Sequence, residues 1–181
     1  MSAEIQIETA FDSRLSKQEI EGMYGLMIDA YALTEVEIWG VGYQRMPLNE
    51  YLEILQKGEI LFAQIKGEIV GTIHCYPAGE DRYSFGLLAA NFSKKGLGIG
   101  RKLIAAAEKF ARAKGAKYMS LEILRPRDFE VPIKTQLHEW YTRQGYRRTT
   151  SMSFLERKPE KTEKALQLLV PSVFDCYEKE L

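Results

Sequence analysis

The sequence predicts an α/β domain with a mixed sheet, and three observations lead to that prediction. Strand-like and helix-like segments follow one another in the order βααβββαβαββ, with long helices separating the later strands. The chain has 181 residues, which suits one domain and is short for two. Its hydrophobic fraction of 45% supplies a core and exceeds that of disordered chains. We therefore expect a single domain over residues 1–181.

The N-terminal part predicts one strand and two helices. Residues 4–8 alternate between apolar and polar side chains, as a half-buried strand does. A Ser-x-x-Glu capping box at residues 16–19 begins a helix that extends to about Tyr31. A loop over residues 34–42 and a second helix over 47–57 follow.

The clearest local signal is a β-hairpin. Two β-rich runs, residues 60–65 and 69–76, flank a turn at residues 66–68 that contains glycine. A third strand is expected over residues 83–90. These segments predict the antiparallel part of the sheet.

The second half alternates helices with strands. The predicted helices cover residues 98–114 and 133–144, the predicted strands 117–124, 146–155 and 170–179, and a short helix or turn 165–169. The last strand is a candidate for pairing across a homodimer.

Composition excludes several classes of function. Lys and Arg number 25 and Asp and Glu number 25, and this balance argues against a nucleic-acid-binding protein. No apolar run approaches the roughly 18 residues of a membrane span, and the N-terminus has no secretion signal. Cys75 and Cys176 lack a CxxC spacing, which fits a reduced, cytoplasmic protein. His74 and His138 have no ligand partner at motif spacing, so we expect no metal site.

The glycine-rich turn at residues 95–101 is the strongest candidate for a ligand site. It lies between a predicted strand and a predicted helix, and its alternate glycines let a ligand approach the backbone. The first N–H groups of the helix then favour an anion, and Lys95, Arg101 and Lys102 add positive charge. The turn matches neither a P-loop nor a dinucleotide fingerprint. A phosphate or pyrophosphate is the expected ligand, and a turn that only reverses the chain is the alternative.

Two segments resemble the motifs of a known family. Residues 88–101 resemble motif A of the GNAT superfamily of acyl-CoA-dependent N-acyltransferases, a strand that runs into [Arg/Gln]-x-x-Gly-x-[Gly/Ala]. Lys95 stands where Arg or Gln is usual, and Phe92 where Pro is common. Residues 140–146 resemble the family's Leu-Tyr-x-x-x-Gly-Phe segment. The element order of the family continues over most of the chain.

The resemblance implies a GNAT-like, largely antiparallel mixed sheet flanked by helices, and acetyl-CoA as co-substrate. It implies that backbone groups bind the pantetheine arm and the pyrophosphate. The arm maps onto Leu88, Ala89 and Ala90, and the pyrophosphate onto Lys95, Gly96, Leu97, Gly98, Ile99, Gly100 and Arg101. Tyr141 occupies the position of the tyrosine that protonates the departing thiolate. A packed helix residue with a satisfied hydroxyl is the alternative interpretation of Tyr141.

The general base is left open by the sequence. Glu122, on the strand after the motif A helix, is one candidate, with an ordered water as the alternative. Glu35 and Glu37 lie in the loop that often lines the acceptor site in this family. His74 and His138 are further candidates, and for each of these residues a surface or packing role competes with the catalytic one.

The acceptor side departs from the family pattern. Lys134 and Leu137 replace the Asn and Ala that commonly precede the tyrosine of the second motif. Arg125 and Arg127, near the mouth of the expected site, are candidates for attracting a carboxylate-bearing acceptor. Residues 1–60 carry eleven acids and four bases, whereas residues 94–118 carry eight bases and one acid. Such a division suits anionic CoA and a cationic amine, and a solvated basic helix face explains it equally well.

The predicted function is transfer of an acetyl group from acetyl-CoA to a primary amine by direct attack. The acceptor is a small-molecule amine or a protein amine. One alternative is a non-catalytic acyl-CoA-binding or sensory module on the same fold, and another is a protein that binds a different phosphate ligand. Fold alone does not choose between them.

Overall fold

The computed structural model describes residues 4–11 and 14–181. Seven strands form a sheet in the order β1-β2-β3-β4-β5-β7-β6. The strands are β1 (Gln6–Thr9), β2 (Ile60–Ile65), β3 (Glu68–Gly79), β4 (Arg82–Ala90), β5 (Tyr118–Pro126), β6 (Arg147–Ser153) and β7 (Ser172–Glu180). The helices are α1 (Lys17–Thr34), α2 (Val36–Trp39), α3 (Leu48–Gln56), α4 (Ile99–Ala113), α5 (Pro132–Arg143), α6 (Phe154–Arg157) and α7 (Thr162–Ala165). The predicted fold class, an α/β fold with a mixed, largely antiparallel sheet flanked by helices, is confirmed.

The chain divides into two compact units. The first contains the described residues up to Ala30, Gln44–Met119 and Leu181, and the second contains Tyr31–Tyr43 and Ser120–Glu180.

The first unit is an antiparallel meander covered by α4. Strands β1 to β4 pair in chain order, each antiparallel to the next. The apolar stripe of α4 packs against these strands and is buried except for Phe110, which is half-buried. Its buried side chains include Leu103, Ile104, Ala107 and Ala111.

The second unit has its own apolar cluster. It contains Ile38, Trp39, Leu124, Phe154 and Phe174, all less than a tenth exposed. The rings of Trp39 and Phe154 meet edge to face with centroids 5.8 Å apart, an arrangement favoured by their quadrupoles. Strands β6 and β7 pair antiparallel in this unit.

Three local predictions outside the hairpin differ from the structure. The expected loop over residues 34–42 contains the short helix α2. The expected strand over 146–155 ends at Ser153, because Ser153 and Glu156 form a capping box that begins α6. The short helix or turn expected at 165–169 is a turn at residues 166–167, and the helix α7 precedes it.

The strand that was a candidate for homodimer pairing is not an edge strand. In the sheet order β7 lies between β5 and β6, so its backbone groups pair on both sides. Among the described residues, β1 and β6 are the outermost strands. Arg147 and Arg148 on β6 put charge on that edge, which discourages further pairing. Within the same described ranges, no helix combines the length and apolar character that crossing a membrane requires.

The hairpin turn between β2 and β3 has two residues rather than the expected three. Ile65 pairs with Glu68, and Lys66 and Gly67 both have positive φ, of 51° and 82°. This is the type I′ geometry, whose twist matches that of the flanking strands. Lysine is an uncommon residue there, since its Cβ crowds the backbone in the left-handed region.

We predict that Lys66→Asn stabilises the protein by about 0.5–1 kcal/mol, because asparagine adopts the left-handed conformation more readily. Urea unfolding of the purified variant measures this. Lys66→Val is the matched control and should destabilise the protein, because a β-branched residue is strained at positive φ. Equal stabilities for the Asn and Val variants would contradict the turn assignment.

Candidate functional site

The glycine-rich turn lies in the first unit and begins where β4 ends. Asn91 follows the strand, and its side-chain oxygen accepts hydrogen bonds from the Ser93 N–H at 2.9 Å and the Ser93 hydroxyl at 2.7 Å. These bonds hold a 3-10 turn over Phe92–Lys94. Gly96 and Gly98 then have φ of 87° and 74°, which side-chain-bearing residues rarely adopt. A Cβ built on either glycine would meet no atom within 4 Å, so the turn is open to a ligand.

The turn leads into an uncapped helix N-terminus. The first bond of α4 runs from the Lys102 N–H to the Gly98 carbonyl at 3.0 Å. The N–H groups of Ile99, Gly100 and Arg101 therefore have no acceptor within the helix. No side chain caps this end, and its first turn contains no acidic residue. The donor set suits an anion such as a pyrophosphate, and the helix dipole favours the same charge.

A glycine in the sheet positions this helix, and the sequence analysis missed it. A Cβ on Gly71 of β3 would lie 2.8 Å from Ile99 Cγ2, 3.0 Å from Leu103 Cδ1 and 3.0 Å from the Ala89 carbonyl oxygen. Both the first turn of α4 and the end of β4 thus approach β3 where a side chain is missing. An isolated glycine within a strand pattern is the signal that could have identified it.

Strand β4 carries a β-bulge beside the predicted pantetheine contacts. Ala89 pairs with Thr72 and Gly86 pairs with His74, so Leu87 and Leu88 together face Ile73. Leu87 has φ of 49°, a strained value for a leucine. A bulge interrupts the ladder and redirects the backbone, which makes polar groups of this stretch available to a ligand. Leu88, Ala89 and Ala90 lie at or directly after it.

Tyr141 lies on α5 in the second unit and is 7% exposed. Its ring meets that of Tyr146 edge to face, with centroids 6.2 Å apart. Burial raises the pKa of Tyr141 above its ordinary value. The hydroxyl therefore keeps its proton at neutral pH.

Glu122 on β5 is engaged by two cations. One carboxylate oxygen accepts from the Arg157 guanidinium, and the other lies 3.0 Å from the Lys158 Nζ. Its side chain is 16% exposed. Two positive partners thus hold the Glu122 carboxylate in place. The structure thus gives Glu122 a role in holding α6, and its role as a base stays a prediction.

Glu35 is buried in an ion pair. One of its oxygens accepts from the Trp39 indole N–H at 3.0 Å, and the other from the Lys134 ammonium at 3.2 Å. The Glu35 and Lys134 side chains are 6% and 5% exposed. Both charges are removed from water, so each depends on the other for its stabilisation. Glu37, two residues later, is exposed.

Arg125 is held by Asp175 on β7. Its Nε and Nη2 donate to the two carboxylate oxygens at 2.6 and 3.1 Å, and its Nη1 donates to the Pro126 carbonyl at 3.2 Å. Burial raises the pKa of Asp175, but hydrogen bonds from Arg125 and Ser151 outweigh it, and the pKa lies below its ordinary value. The Arg125 guanidinium, which was predicted to attract an acceptor, is therefore paired with Asp175 of the same chain.

The chain is similar to known proteins in sequence pattern and in fold. The sequence model of the acetyltransferase (GNAT) family matches residues 24–146, more than half of the chain. No curated protein sequence matches. The chain resembles a solved ribosomal-protein-alanine N-acetyltransferase from Brucella melitensis at TM-score 0.67 and 15% identity, with coverage of 97% of this chain and 99% of that one.

Two further solved structures are similar. A GNAT family acetyltransferase from Elizabethkingia anophelis with acetyl-CoA bound has TM-score 0.66 and 16% identity, with 98% of each chain covered. N-acetylglutamate synthase from Neisseria gonorrhoeae, complexed with coenzyme A and N-acetyl-glutamate, has TM-score 0.66 and 19% identity, covering 100% of this chain and 36% of that one. At these identities the likeness establishes the fold.

We predict that Gly71→Ala destabilises the protein by about 1–3 kcal/mol, because the added methyl group overlaps Ile99 and the Ala89 carbonyl. Gly86→Ala on the neighbouring strand is the matched control. A Cβ there meets nothing within 4 Å, so this variant should be as stable as the wild type or more stable. Urea unfolding of both compares them, and equal destabilisation would show that α4 does not depend on Gly71.

We predict that Glu35→Ala destabilises the protein by about 3–5 kcal/mol, because it leaves the Lys134 ammonium buried without its partner. Adding Lys134→Met should recover most of that loss, since no buried charge remains. Chemical denaturation of the two single variants and the double variant measures the coupling. Additive losses would contradict the pairing.

Proposed function

The chain belongs to the acetyltransferase (GNAT) family, and from this we propose that it transfers an acetyl group from acetyl-CoA to a primary amine by direct attack. The family makes it an acyltransferase. The observation that supports acetyl-CoA best is the uncapped first turn of α4, seated on Gly71 and preceded by a turn open to a ligand. We also propose that residues 1–181 form one domain and that the protein is cytoplasmic, as expected from the sequence.

We assign the pyrophosphate of CoA to the N–H groups of the turn and of the first turn of α4. The residues are Lys95, Gly96, Leu97, Gly98, Ile99, Gly100 and Arg101, as the sequence resemblance implied. The side chains of Lys95 and Arg101 are exposed beside these donors and supply positive charge. Lysine at position 95 keeps the charge of the usual arginine without its planar fork.

We assign the pantetheine arm to the backbone of Leu88, Ala89 and Ala90. The bulge at Leu87 and Leu88 supports this assignment, since it breaks the ladder with β3 at that point. Acetyl-CoA supplies a thioester carbonyl whose carbon the amine attacks. An N–H group near Leu88 would polarise that carbonyl, and a fixed donor costs little reorganisation during the reaction.

We propose that Tyr141 gives its proton to the departing thiolate. The raised pKa keeps the phenol protonated at neutral pH, so a proton is available at the hydroxyl. Glu122 was predicted as the general base, and Glu35, Glu37 and Arg125 were predicted to contact the acceptor. Ion pairs hold Glu122, Glu35 and Arg125, whereas Glu37 is exposed, and we propose Glu37 as the acceptor contact among these residues.

The acceptor is a small-molecule amine or a protein amine. Relatives of similar fold include a ribosomal-protein-alanine N-acetyltransferase and an N-acetylglutamate synthase, so both kinds are represented. A homodimer is also proposed, but not through pairing of β7, which lies inside the sheet.

We predict that acetyl-CoA and CoA, but not NAD, raise the melting temperature of the protein. At 100 times Kd, binding contributes about 2.7 kcal/mol, or roughly 5–10 °C for a chain of this size. Turnover is then followed as CoA release with glutamate, spermidine and a peptide with N-terminal alanine. Tyr141→Phe should keep the melting shift and lower kcat by about 100-fold.

Tyr146→Phe is the matched control for Tyr141→Phe, because it removes a hydroxyl from a buried tyrosine packed against the same ring. It should retain turnover. Melting shifts with acetyl-CoA but no CoA release with any amine would favour the non-catalytic acyl-CoA-binding alternative. The absence of any shift with either CoA species would overturn the assignment of the glycine turn.

A further inference from the structure

The two faces of β3 have different surroundings. Gly71, Ile73 and Cys75 lie on the face covered by α4: Gly71 meets Ile99 and Leu103, and the Cys75 thiol donates to the Ala107 carbonyl at 3.6 Å. Because side chains alternate along a strand, His74 and Tyr76 lie on the opposite face. The imidazole of His74 is therefore separated by the sheet from the helix that begins at the glycine turn.

His74 forms a pair with a carboxylate. Its Nε2 lies 2.8 Å from a carboxylate oxygen of Glu59, and the two side chains are 13% and 18% exposed. The Tyr76 ring stacks on the imidazole with centroids 4.5 Å apart. An ionised carboxylate only accepts hydrogen bonds, so Nε2 carries the proton of the neutral ring. The lone pair of the neutral imidazole is then at Nδ1.

The surroundings of His74 keep the ring neutral. Burial lowers its pKa from the ordinary value of 6.5; the Glu59 carboxylate acts in the opposite direction, and the nearby Lys57 ammonium reinforces the lowering. The combined effect of burial, Glu59 and Lys57 is a pKa of His74 below 6.5. At neutral pH the imidazole is thus unprotonated and able to accept a proton.

The residue paired with His74 on the neighbouring strand has open space beside it. His74 pairs with Gly86 of β4, and a Cβ built on Gly86 would meet no atom within 4 Å. Paired residues on neighbouring strands are about 5 Å apart, so space for a small group lies beside the imidazole. The next residues of β4 are Leu87 and Leu88, which form the bulge, and an N–H group near Leu88 is the one that we place beside the thioester carbonyl.

We propose that His74 is the general base of acetyl transfer and that Glu59 is its positioning residue. The inference rests on the proposed function, since it concerns the amine that attacks acetyl-CoA. Nδ1 takes one proton from the substrate ammonium, and the freed lone pair of the nitrogen forms the N–C bond to the thioester carbon as the C–S bond breaks. The substrate nitrogen loses two protons in all as it changes from an ammonium to an amide. One proton leaves through His74 to solvent. The loss of the second is balanced by the one proton that the thiolate gains.

Other candidates on the acceptor side are less suited to this task. Glu122 is held by Arg157 and Lys158, and Glu35 is buried against Lys134 and Trp39. His138 has its Nδ1 at 2.7 Å from the Tyr177 hydroxyl. Burial raises the pKa of Tyr177 to about 12, so the hydroxyl stays protonated, and its hydrogen bond occupies Nδ1 of His138.

The test is the pH dependence of kcat/KM with the best amine of the panel. In the wild type we expect kcat/KM to rise with pH through an acid limb below pH 6.5 and then to level off, because neutral His74 is required. His74→Gln should lower kcat by about 100-fold at pH 7 and replace the plateau by a rise of about tenfold per pH unit, as only unprotonated amine reacts. His138→Gln is the matched control and should keep the acid limb.

Two further measurements keep the inference testable if His74→Gln folds poorly. The chain has two histidines, so the NMR titration of their ring protons is simple to assign, and one pKa should coincide with the acid limb. Glu59→Gln keeps the imidazole but removes the carboxylate that raises its pKa. The acid limb should therefore move to lower pH, an effect that a purely structural role of Glu59 does not produce.

The possible outcomes are distinct. A wild type that binds no acetyl-CoA and acetylates no amine overturns the proposed function and this inference with it. A wild type that turns over, together with a folded His74→Gln variant that keeps the plateau and the rate, overturns the inference alone. An acid limb that stays in place in Glu59→Gln while both histidine pKa values differ from it overturns the inference as well.

Discussion

The approach of α4 to β3 at Gly71 is the contact on which the candidate cofactor site depends most. Two residues of the helix and one backbone carbonyl of β4 occupy the space that a side chain would need. This close packing fixes where α4 begins and hence where its unbonded N–H groups point. Since the strength of an anion site at a helix end falls off within one turn, the position of the first turn decides what is bound there.

Strand β4 contributes through its backbone rather than its side chains. Its bulge places a leucine in the left-handed region, at a cost of the order of 1–3 kcal/mol, and the neighbouring pairs with β3 hold it there. Strained backbone next to a ligand site is a common arrangement in enzymes. It also brings the proposed catalytic histidine and the redirected backbone to adjacent positions of one antiparallel pair.

The sequence predicted the long elements well because their periodicity is strong. The helix α4 has a full apolar stripe, and its predicted bounds agree within one residue at each end. The four-residue helix α2 was missed, since four residues carry no period. The bulge at Leu87 has no sequence signal, because leucine is not a residue that favours positive φ. The glycine turn was identified from its motif, whereas Lys134 and Arg157, which pair with Glu35 and Glu122, lie 99 and 35 residues away along the chain, beyond any local pattern.

The buried pair of Glu35 and Lys134 has a consequence for how this chain changes over generations. Replacing either residue by an apolar one leaves one buried charge without its counterpart, whereas replacing both together leaves none. If the two residues are replaced one after the other, the sequence with a single replacement therefore folds poorly. Substitutions at the two positions are expected to occur together or after other stabilising changes. Once present, the pair is therefore hard to lose by single substitutions.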